Sequence, residues 1–378
     1  MSSVYFMTTR VLLASPNQGD GGIAKWTKHI VDYYTNTHPE DLRLDVLPMN
    51  RHSFSTRLGR YLNGIRDYVS VLLRCWWMLL TRRYDVLHFC TSGDIGFVKD
   101  VLMLYIAKCF HTRTVVHFHF GRIPSVMEKD NQERKWLRRV MDMTDMAIAI
   151  DNTTCNALAS AGYNNVIYIP NPLAPFVVDF VDKNRQYIDR DERMILFVGH
   201  CYASKGVYEL VKACKGIEDV RLVLVGAIDD GTESDLRHIA DGSEWLEILG
   251  IRPYEDALSL MMQCGVFVLP SYTEGFPNVI LESMACGCAI VATAVGAIPE
   301  MLGGSDGELC GLLVPPKDED GLKKTVLQFL EDSGMREKCR KNAQQRVRLR
   351  YNMGTIFNKL TDVWVSENKM DPQTIHPN

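Results

Sequence analysis

The densest chemistry in the sequence lies between Pro270 and Glu300. There Glu274 and Glu282 flank the run Gly275-Phe276-Pro277-Asn278, just after the apolar stretch 266–269. A short apolar run followed by Ser271-Tyr272-Thr273 reads as a buried strand and its exit loop. Pro277 suits the first turn of a helix, so 278–285 is predicted helical. The N–H groups of Phe276 and Asn278 are then left to donate to a ligand at the helix start. Two carboxylates near a helix start raise the question of a hydrolytic pair, which in glycosidases stands about 5–9.5 Å apart across the scissile bond. One glutamate in a loop and the other a turn into a helix fit separate hydroxyl-binding roles better. A carboxylate holds a sugar or ribose diol through both oxygens, with charge-assisted bonds worth about 1.5–3 kcal/mol. Taken alone, Glu282 would be an ordinary solvated helix residue.

Two further patterns carry chemistry. Gly19-x-Gly21-x-x-Ala24 follows a predicted strand and opens a predicted helix, as a dinucleotide fingerprint does. That fingerprint needs an acid at the end of the second strand. Here the strand ends in Leu47-Pro48-Met49-Asn50, and Asp45 falls in mid-strand. An NAD-dependent oxidoreductase is therefore disfavoured. What remains is that Gly21 and Gly22 let backbone N–H groups approach an anion at a helix N-terminus, or simply make a tight turn. The second pattern is His117-Phe118-His119-Phe120-Gly121. Strand alternation sends both histidines to one face and both phenylalanines to the other. A metal held at i, i+2 would need a third ligand that the sequence does not point to, so no metal is expected. Structural burial stays open for both histidines.

The elements that must position these residues alternate regularly. Strands are predicted at 10–15, 42–47, 86–90, 114–119, 146–150 and 166–169, with helical patterns between most of them. A break follows at Pro170-Asn171-Pro172 and Pro175, then a polar stretch. Strands resume at 194–199, 221–226, 246–249, 266–270, 289–293 and 311–314. An amphipathic helix at 353–365 ends the pattern. The division expected is a first Rossmann-like domain over 1–172, a linker over 173–192, and a second Rossmann-like domain over 193–350. A C-terminal helix over 351–368 returns to the first domain, and a polar tail over 369–378 is disordered. Ligands of such sheets bind at the carboxyl ends of the strands.

The chain has 378 residues, enough for two or three domains, and is 46% hydrophobic and 23% charged, which excludes wholesale disorder. A net charge of −4 excludes a polybasic nucleic-acid coat. Residues 1–180 hold 20 basic and 16 acidic side chains, and residues 181–378 hold 22 and 30, so a basic half is joined to an acidic one. Eleven cysteines without a framework spacing indicate free thiols in a reducing compartment. No signal peptide is expected, and the apolar run at 68–81 is too short to span a bilayer, which needs about 20 residues.

The segment from Glu274 to Glu300 resembles the E-x7-E signature of retaining GT-B glycosyltransferases, the group-1 or family 4 sugar-nucleotide transferases. The likeness extends along the chain. Gly21-Gly22 is similar to the family's glycine loop, Pro170-Asn171-Pro172 to its interdomain hinge, and Phe197-Val198-Gly199 with Lys205-Gly206 to the start of its nucleotide domain. The fold implied is GT-B: two doubly wound α/β Rossmann-like domains facing across a cleft. The resemblance implies that Glu274 approaches the transferred sugar, that Glu282 grips the ribose, and that the backbone of Gly275, Phe276, Pro277 and Asn278 cradles the sugar and distal phosphate. It places Lys205 on the diphosphate and His119 near the transferred sugar. The base loop falls near Ile251 and Arg252. No enzyme nucleophile is evident, and the implied route is a front-face displacement without a bound metal or other cofactor. One position departs: the family's usual arginine is His200 here. An imidazole offers fewer donors, so Tyr202 and Ser204 would have to supplement it, unless His200 simply packs in the loop.

Residues 51–84 carry Arg51, Arg57, Arg60, Arg66, Arg74, Arg82 and Arg83 with one acid, Asp67, and with Trp76 and Trp77 among leucines. A basic, aromatic amphipathic helix of this kind suits an anionic membrane surface, the alternative being a helix packed on the sheet. The expectation is a cytoplasmic hexosyltransferase, peripheral on the membrane. It takes a UDP-sugar, or next a GDP-mannose, and a saccharide or lipid-linked saccharide acceptor, in cell-surface polysaccharide or glycolipid synthesis. Nucleic acid is not a partner. An epimerase or hydrolase on the same fold, or a non-catalytic partner of another transferase, is the alternative.

Overall fold

A computed structural model describes residues 8–19, 21–50, 57–94, 96–187, 189–303 and 308–366, with the backbone alone at 57–63 and 65. Arg51, the side chains of Arg57 and Arg60, and the tail at 369–378 lie outside the described residues. The chain divides into two compact units, Met1–Asn171 with Met353–Asn378, and Pro172–Asn352.

In the first unit the apolar runs form six strands: β1 (Thr9–Ser15), β2 (Leu42–Pro48), β3 (Val86–Thr91), β4 (Arg113–Phe118), β5 (Met146–Ala149) and β6 (Val166–Tyr168). They pair in the order β2-β1-β3-β4-β5-β6, all parallel. Strands buried on both faces read as continuous apolar sequence, and β3 is buried at every position. Helices α1 (Gly22–Thr37), α2 (Arg57–Thr81) and α3 (Gly96–Cys109) follow β1, β2 and the first turn beyond β3. The Met353–Val365 helix completes one face. Its Ile356, Phe357, Leu360, Val363 and Trp364 pack with Trp26 and Ile30 of α1 over the sheet. Each such side chain, fully buried, contributes about 1.5–3 kcal/mol, which holds the last helix on the first unit across a long sequence gap.

The second unit has β7 (Asp191–Val198), β8 (Arg221–Val225), β9 (Leu246–Gly250), β10 (Cys264–Leu269), β11 (Ala289–Thr293) and β12 (Leu312–Val314). Their order is β12-β11-β10-β7-β8-β9, again all parallel. Both sheets reverse strand order next to their first strand, and at such a switch point the loops leaving adjacent strands diverge and leave room for a ligand.

The segment 173–192, expected as a linker, is mostly structured. Pro175 opens a helix, Pro175–Asn184, whose Val177 and Val181 are buried. It packs on the Asn278–Cys286 helix within the second unit. Proline lacks only an N–H that the first turn leaves unbonded, so Pro175 starts this helix where it had been read as part of a break. None of the eleven cysteines is in a disulfide.

Candidate functional site

In the second unit, two exit loops meet. After β7 the chain runs through Gly199 and His200 into a short 3-10 turn, Ala203–Lys205, and then the Val207–Cys214 helix. After β10 it runs through Ser271 and Glu274 to Pro277, which caps the Asn278–Cys286 helix with no side-chain cap bond. The loops are joined by backbone: Tyr272 N–H donates to Ser204 O at 2.9 Å. They are joined by charge as well. Lys205 Nζ lies 2.6 Å from Glu274 Oε1, the lysine side chain 29% and the glutamate 12% exposed. A half-buried ammonium has three donors, and this contact uses one.

Glycines permit this close approach. Gly206 has φ +73°, and a Cβ there would stand 2.1 Å from Pro270 O. Gly296, at φ +55°, backs onto the carbonyls of Glu274 and Gly275, where a Cβ would stand 2.3 and 2.6 Å away. Ala297 N–H then donates to Gly275 O at 2.9 Å, fixing the loop before the helix. Tyr272 adds a brace that the motif does not reveal: its hydroxyl donates to Glu209 Oε1 at 2.7 Å, and Lys317 Nζ sits 4.7 Å over its ring.

The remaining residues expected on this unit fall as follows. Glu282 lies on the Asn278–Cys286 helix and accepts a hydrogen bond from Tyr254 Oη at 2.8 Å. Gly275 and Asn278 are half-buried, and Phe276 and Pro277 are buried, the phenyl ring against Tyr351 at 5.9 Å. Beyond β9, Ile251 is 78% exposed and Arg252 is also exposed. His200 does not pack inside its loop; it is exposed and stacks on Tyr202 with ring centroids 5.3 Å apart.

The first unit holds a separate constellation. Gly21 caps α1, and an added Cβ at Gly21 or Gly22 would meet nothing within 4 Å. Packing therefore does not require glycine at either position. Asp45 accepts from Tyr84 Oη at 2.8 Å and lies 3.5 Å from Arg82, so it serves the surface rather than a ribose. His119 follows β4, its N–H bonded to Thr91 O. With His117 (centroids 4.0 Å) and His88 of β3 (5.4 Å from His117) it forms a buried train of imidazoles edged by Trp26, 4.9 Å from both His117 and His119. His88 was not expected, although His88-x-Cys90 repeats the i, i+2 spacing of the later pair on the neighbouring strand. Register places Cys90 beside His117.

The ligand atoms of His88, Cys90 and His117 lie within 4.8 Å of one another, which raises the metal question again. Trp364 answers it. Its Nε1–H donates to His88 Nδ1 at 2.8 Å, so that nitrogen is the unprotonated one and Nε2 carries the hydrogen. In that neutral form His88 offers no free ring nitrogen, while Cys90 and His117 keep their ligand atoms. His88 Nε2, both nitrogens of His117 and His119 Nε2 have no hydrogen-bond partner among the described residues. Each such group, left unpaired, costs about 1–3 kcal/mol.

Burial pushes His88 and His119 down to about 3 and His117 well below its ordinary value of 6.5. Since the unfolded chain binds these protons from about pH 6.5 downward and the folded one resists them, stability falls as pH drops through that window. The slope is at most about 1.4 kcal/mol per pH unit per histidine. Urea midpoints followed by circular dichroism will therefore decline steeply below about pH 6. A flat midpoint there would mean the train is not buried and neutral.

Residues 179–346 match the model of the family described as glycosyl transferases group 1. The N,N'-diacetylbacillosaminyl-diphospho-undecaprenol alpha-1,3-N-acetylgalactosaminyltransferase of Campylobacter jejuni is 33% identical over 155 residues, covering 40% of this chain and 39% of that protein. The D-inositol 3-phosphate glycosyltransferase of Corynebacterium diphtheriae is 24% identical over 359 residues, 88% of this chain and 78% of the relative. Several other relatives are matched over only about half their length, 59% and 46% in two archaeal glycosyltransferases. Among solved structures, HepE of Anabaena in complex with UDP superposes with a TM-score of 0.69 at 17% identity, over 94% of this chain and 99% of that one. The chain thus has the GT-B fold, and the part of it that resembles the group 1 glycosyl transferases is its second unit.

Proposed function

We propose that the protein is a retaining hexosyltransferase. It moves a sugar from a nucleotide-diphosphosugar, a UDP-sugar first and GDP-mannose next, to a saccharide or lipid-linked saccharide in cell-surface polysaccharide or glycolipid synthesis. The observation that carries this reading is the Lys205–Glu274 contact between two strand-exit loops at a helix start. The anomeric C–O bond to the diphosphate breaks and one to the acceptor oxygen forms. The acceptor proton passes to the departing diphosphate oxygen. Charge gathers on that diphosphate, where Lys205 and the amides leading into the Asn278–Cys286 helix stabilise it. Glu274 accepts from hydroxyls of the transferred sugar and Glu282 from the ribose. Ile251 and Arg252 cover the base, and His200 with Tyr202 supplements Lys205. In the first unit, the uncrowded amides of Gly21 and Gly22 and the neutral imidazole of His119 are assigned to substrate. No metal or other cofactor takes part. UDP bound to HepE supports a uridine donor, and the undecaprenol-linked substrate named for the Campylobacter relative supports a lipid-linked acceptor. Such an acceptor puts the working enzyme at the cytoplasmic leaflet, with residues 51–84 as the contact.

Thermal shift with UDP-, GDP- and ADP-sugars tests the donor class. A ligand at 100 times its Kd stabilises by about 2.7 kcal/mol, a rise of roughly 5–10 °C for a domain of this size. UDP-sugars should raise Tm most; no rise with any of them would overturn the reading. Free sugar or an isomerised donor formed without an acceptor would instead mark a hydrolase or epimerase.

A further inference from the structure

α2 is apolar on two opposite faces. Val71, Cys75 and Leu79, four residues apart, are buried against the unit. On the other side Val69, Leu73, Trp76, Trp77 and Leu80 are between 45% and 61% exposed. α3 packs beside α2 and continues the surface with Val98, Leu102 and Tyr105, at i, i+4 and i+7 and likewise exposed. Leu72, Leu73 and Trp76 of α2 and Ile106 of α3 line a shallow apolar groove between them. An outward row of two tryptophans, leucines and a valine is far from the scattered apolar residues of an ordinary surface, and it marks a site of contact.

The charges around the row select its occupant. Arg66, Arg74 and Arg83 are exposed along and just beyond α2, and Lys108 and Arg139 are exposed on the α3 side, where Arg139 also donates to Tyr105 Oη. The acids of the two helices are turned inward: Asp67 is half-buried, and Asp100 is buried beside Lys99. A second copy docked two-fold on this row would set cations against cations. An anionic bilayer satisfies both features, since leucine and tryptophan enter the acyl boundary while arginine and lysine meet lipid phosphates. No described helix is long and apolar enough to cross a membrane, so the contact is in-plane.

We infer that the outward faces of α2 and α3 form a bilayer-docking plateau for anionic leaflets, the leucines and tryptophans of α2 inserting and Arg66, Arg74 and Arg83 engaging phosphate headgroups. This deepens the lipid-linked acceptor of the proposed function and rests on it for its purpose, but it is tested apart from donor chemistry.

The full-length protein is floated with vesicles of phosphatidylcholine containing phosphatidylglycerol and with phosphatidylcholine alone. Binding should require phosphatidylglycerol, weaken with salt, and bring a blue shift of tryptophan emission with quenching by brominated acyl chains. Leu73→Glu with Trp77→Glu should weaken binding by about tenfold or more. Arg66→Gln with Arg74→Gln and Arg83→Gln should do the same, at about fivefold per cation. The UDP-induced thermal shift should persist in both variants, which shows that the fold and the donor domain are intact. Absence of vesicle binding at low salt, or equal binding by the Leu73/Trp77 variant, overturns the plateau. So does a wild-type dimer in sedimentation velocity that this variant dissolves, since the occupant is then a second copy. Loss of UDP binding with vesicle binding kept would fail the donor reading and leave the plateau standing.

Discussion

Lys205→Met lowers kcat by about two to three orders of magnitude while Tm moves by only a few degrees. The reasoning starts from charge. In the proposed transfer the diphosphate gains negative charge as the glycosidic bond breaks, and a cation already in place stabilises that state more than the intact donor. Removing it should fall chiefly on kcat, with a smaller rise in donor KM. The resting contact sharpens the expectation. Lys205 pairs with Glu274, whose side chain is only 12% exposed, so Lys205→Met strands a shielded carboxylate at the proposed sugar site. Glu274→Gln removes that charge, keeps the shape, and should itself cost turnover by orders of magnitude through the loss of the proposed sugar contact. The double variant should then lose less than the product of the two single losses, because the residues touch. Steady-state kinetics on the four proteins decides it. Near-normal kcat in Lys205→Met would remove this lysine from the reaction and with it the observation on which the proposed function rests.

How far the sequence reaches can be seen residue by residue. Every apolar run expected as a strand overlaps one, with bounds differing by at most three residues, because buried parallel strands need β-branched and aliphatic side chains on both faces and so leave no ambiguity of face. Asn278–Cys286 begins where Pro277 put it. The helix at Pro175–Asn184 was hidden because proline signals a break and a first turn alike, and only the burial of Val177 and Val181 decides between them. α2 shows a different limit. Its apolar residues lie on two faces, and periodicity cannot say which face is covered. The exposed tryptophans emerge only once α2 is seated through Val71, Cys75 and Leu79. The histidine train was legible as a pair. Its third member, His88, joins through the pairing of β3 with β4, and the tryptophan that sets the proton on it lies 276 positions away. Local pattern carries no information at that range.

Gly206→Ala should cost more activity than any other substitution outside the groups that touch substrate. Gly206 separates Lys205 from the Val207–Cys214 helix at φ +73°, a conformation that costs an ordinary residue about 1–2 kcal/mol. The larger effect is steric. A Cβ would lie 2.1 Å from Pro270 O, a backbone atom, so the β10 exit must retreat by about 1 Å. That exit carries Glu274, and the Tyr272 N–H to Ser204 O bond ties it to the loop that carries Lys205. A displacement of that size near reacting groups is worth about a hundredfold in rate. Stability should fall by about 2–3 kcal/mol, read as a lower urea midpoint. Gly21→Ala and Gly22→Ala supply the contrast, since a methyl group at either meets nothing within 4 Å. Their urea midpoints should hold or rise, alanine being the better helix former at Gly22, while donor KM rises if, as proposed, a phosphate or sugar approaches these amides. A glycine demanded by the fold loses stability and rate together. A glycine demanded by a ligand loses only binding. If Gly21→Ala and Gly22→Ala left both stability and KM unchanged, that loop would be a turn and nothing more.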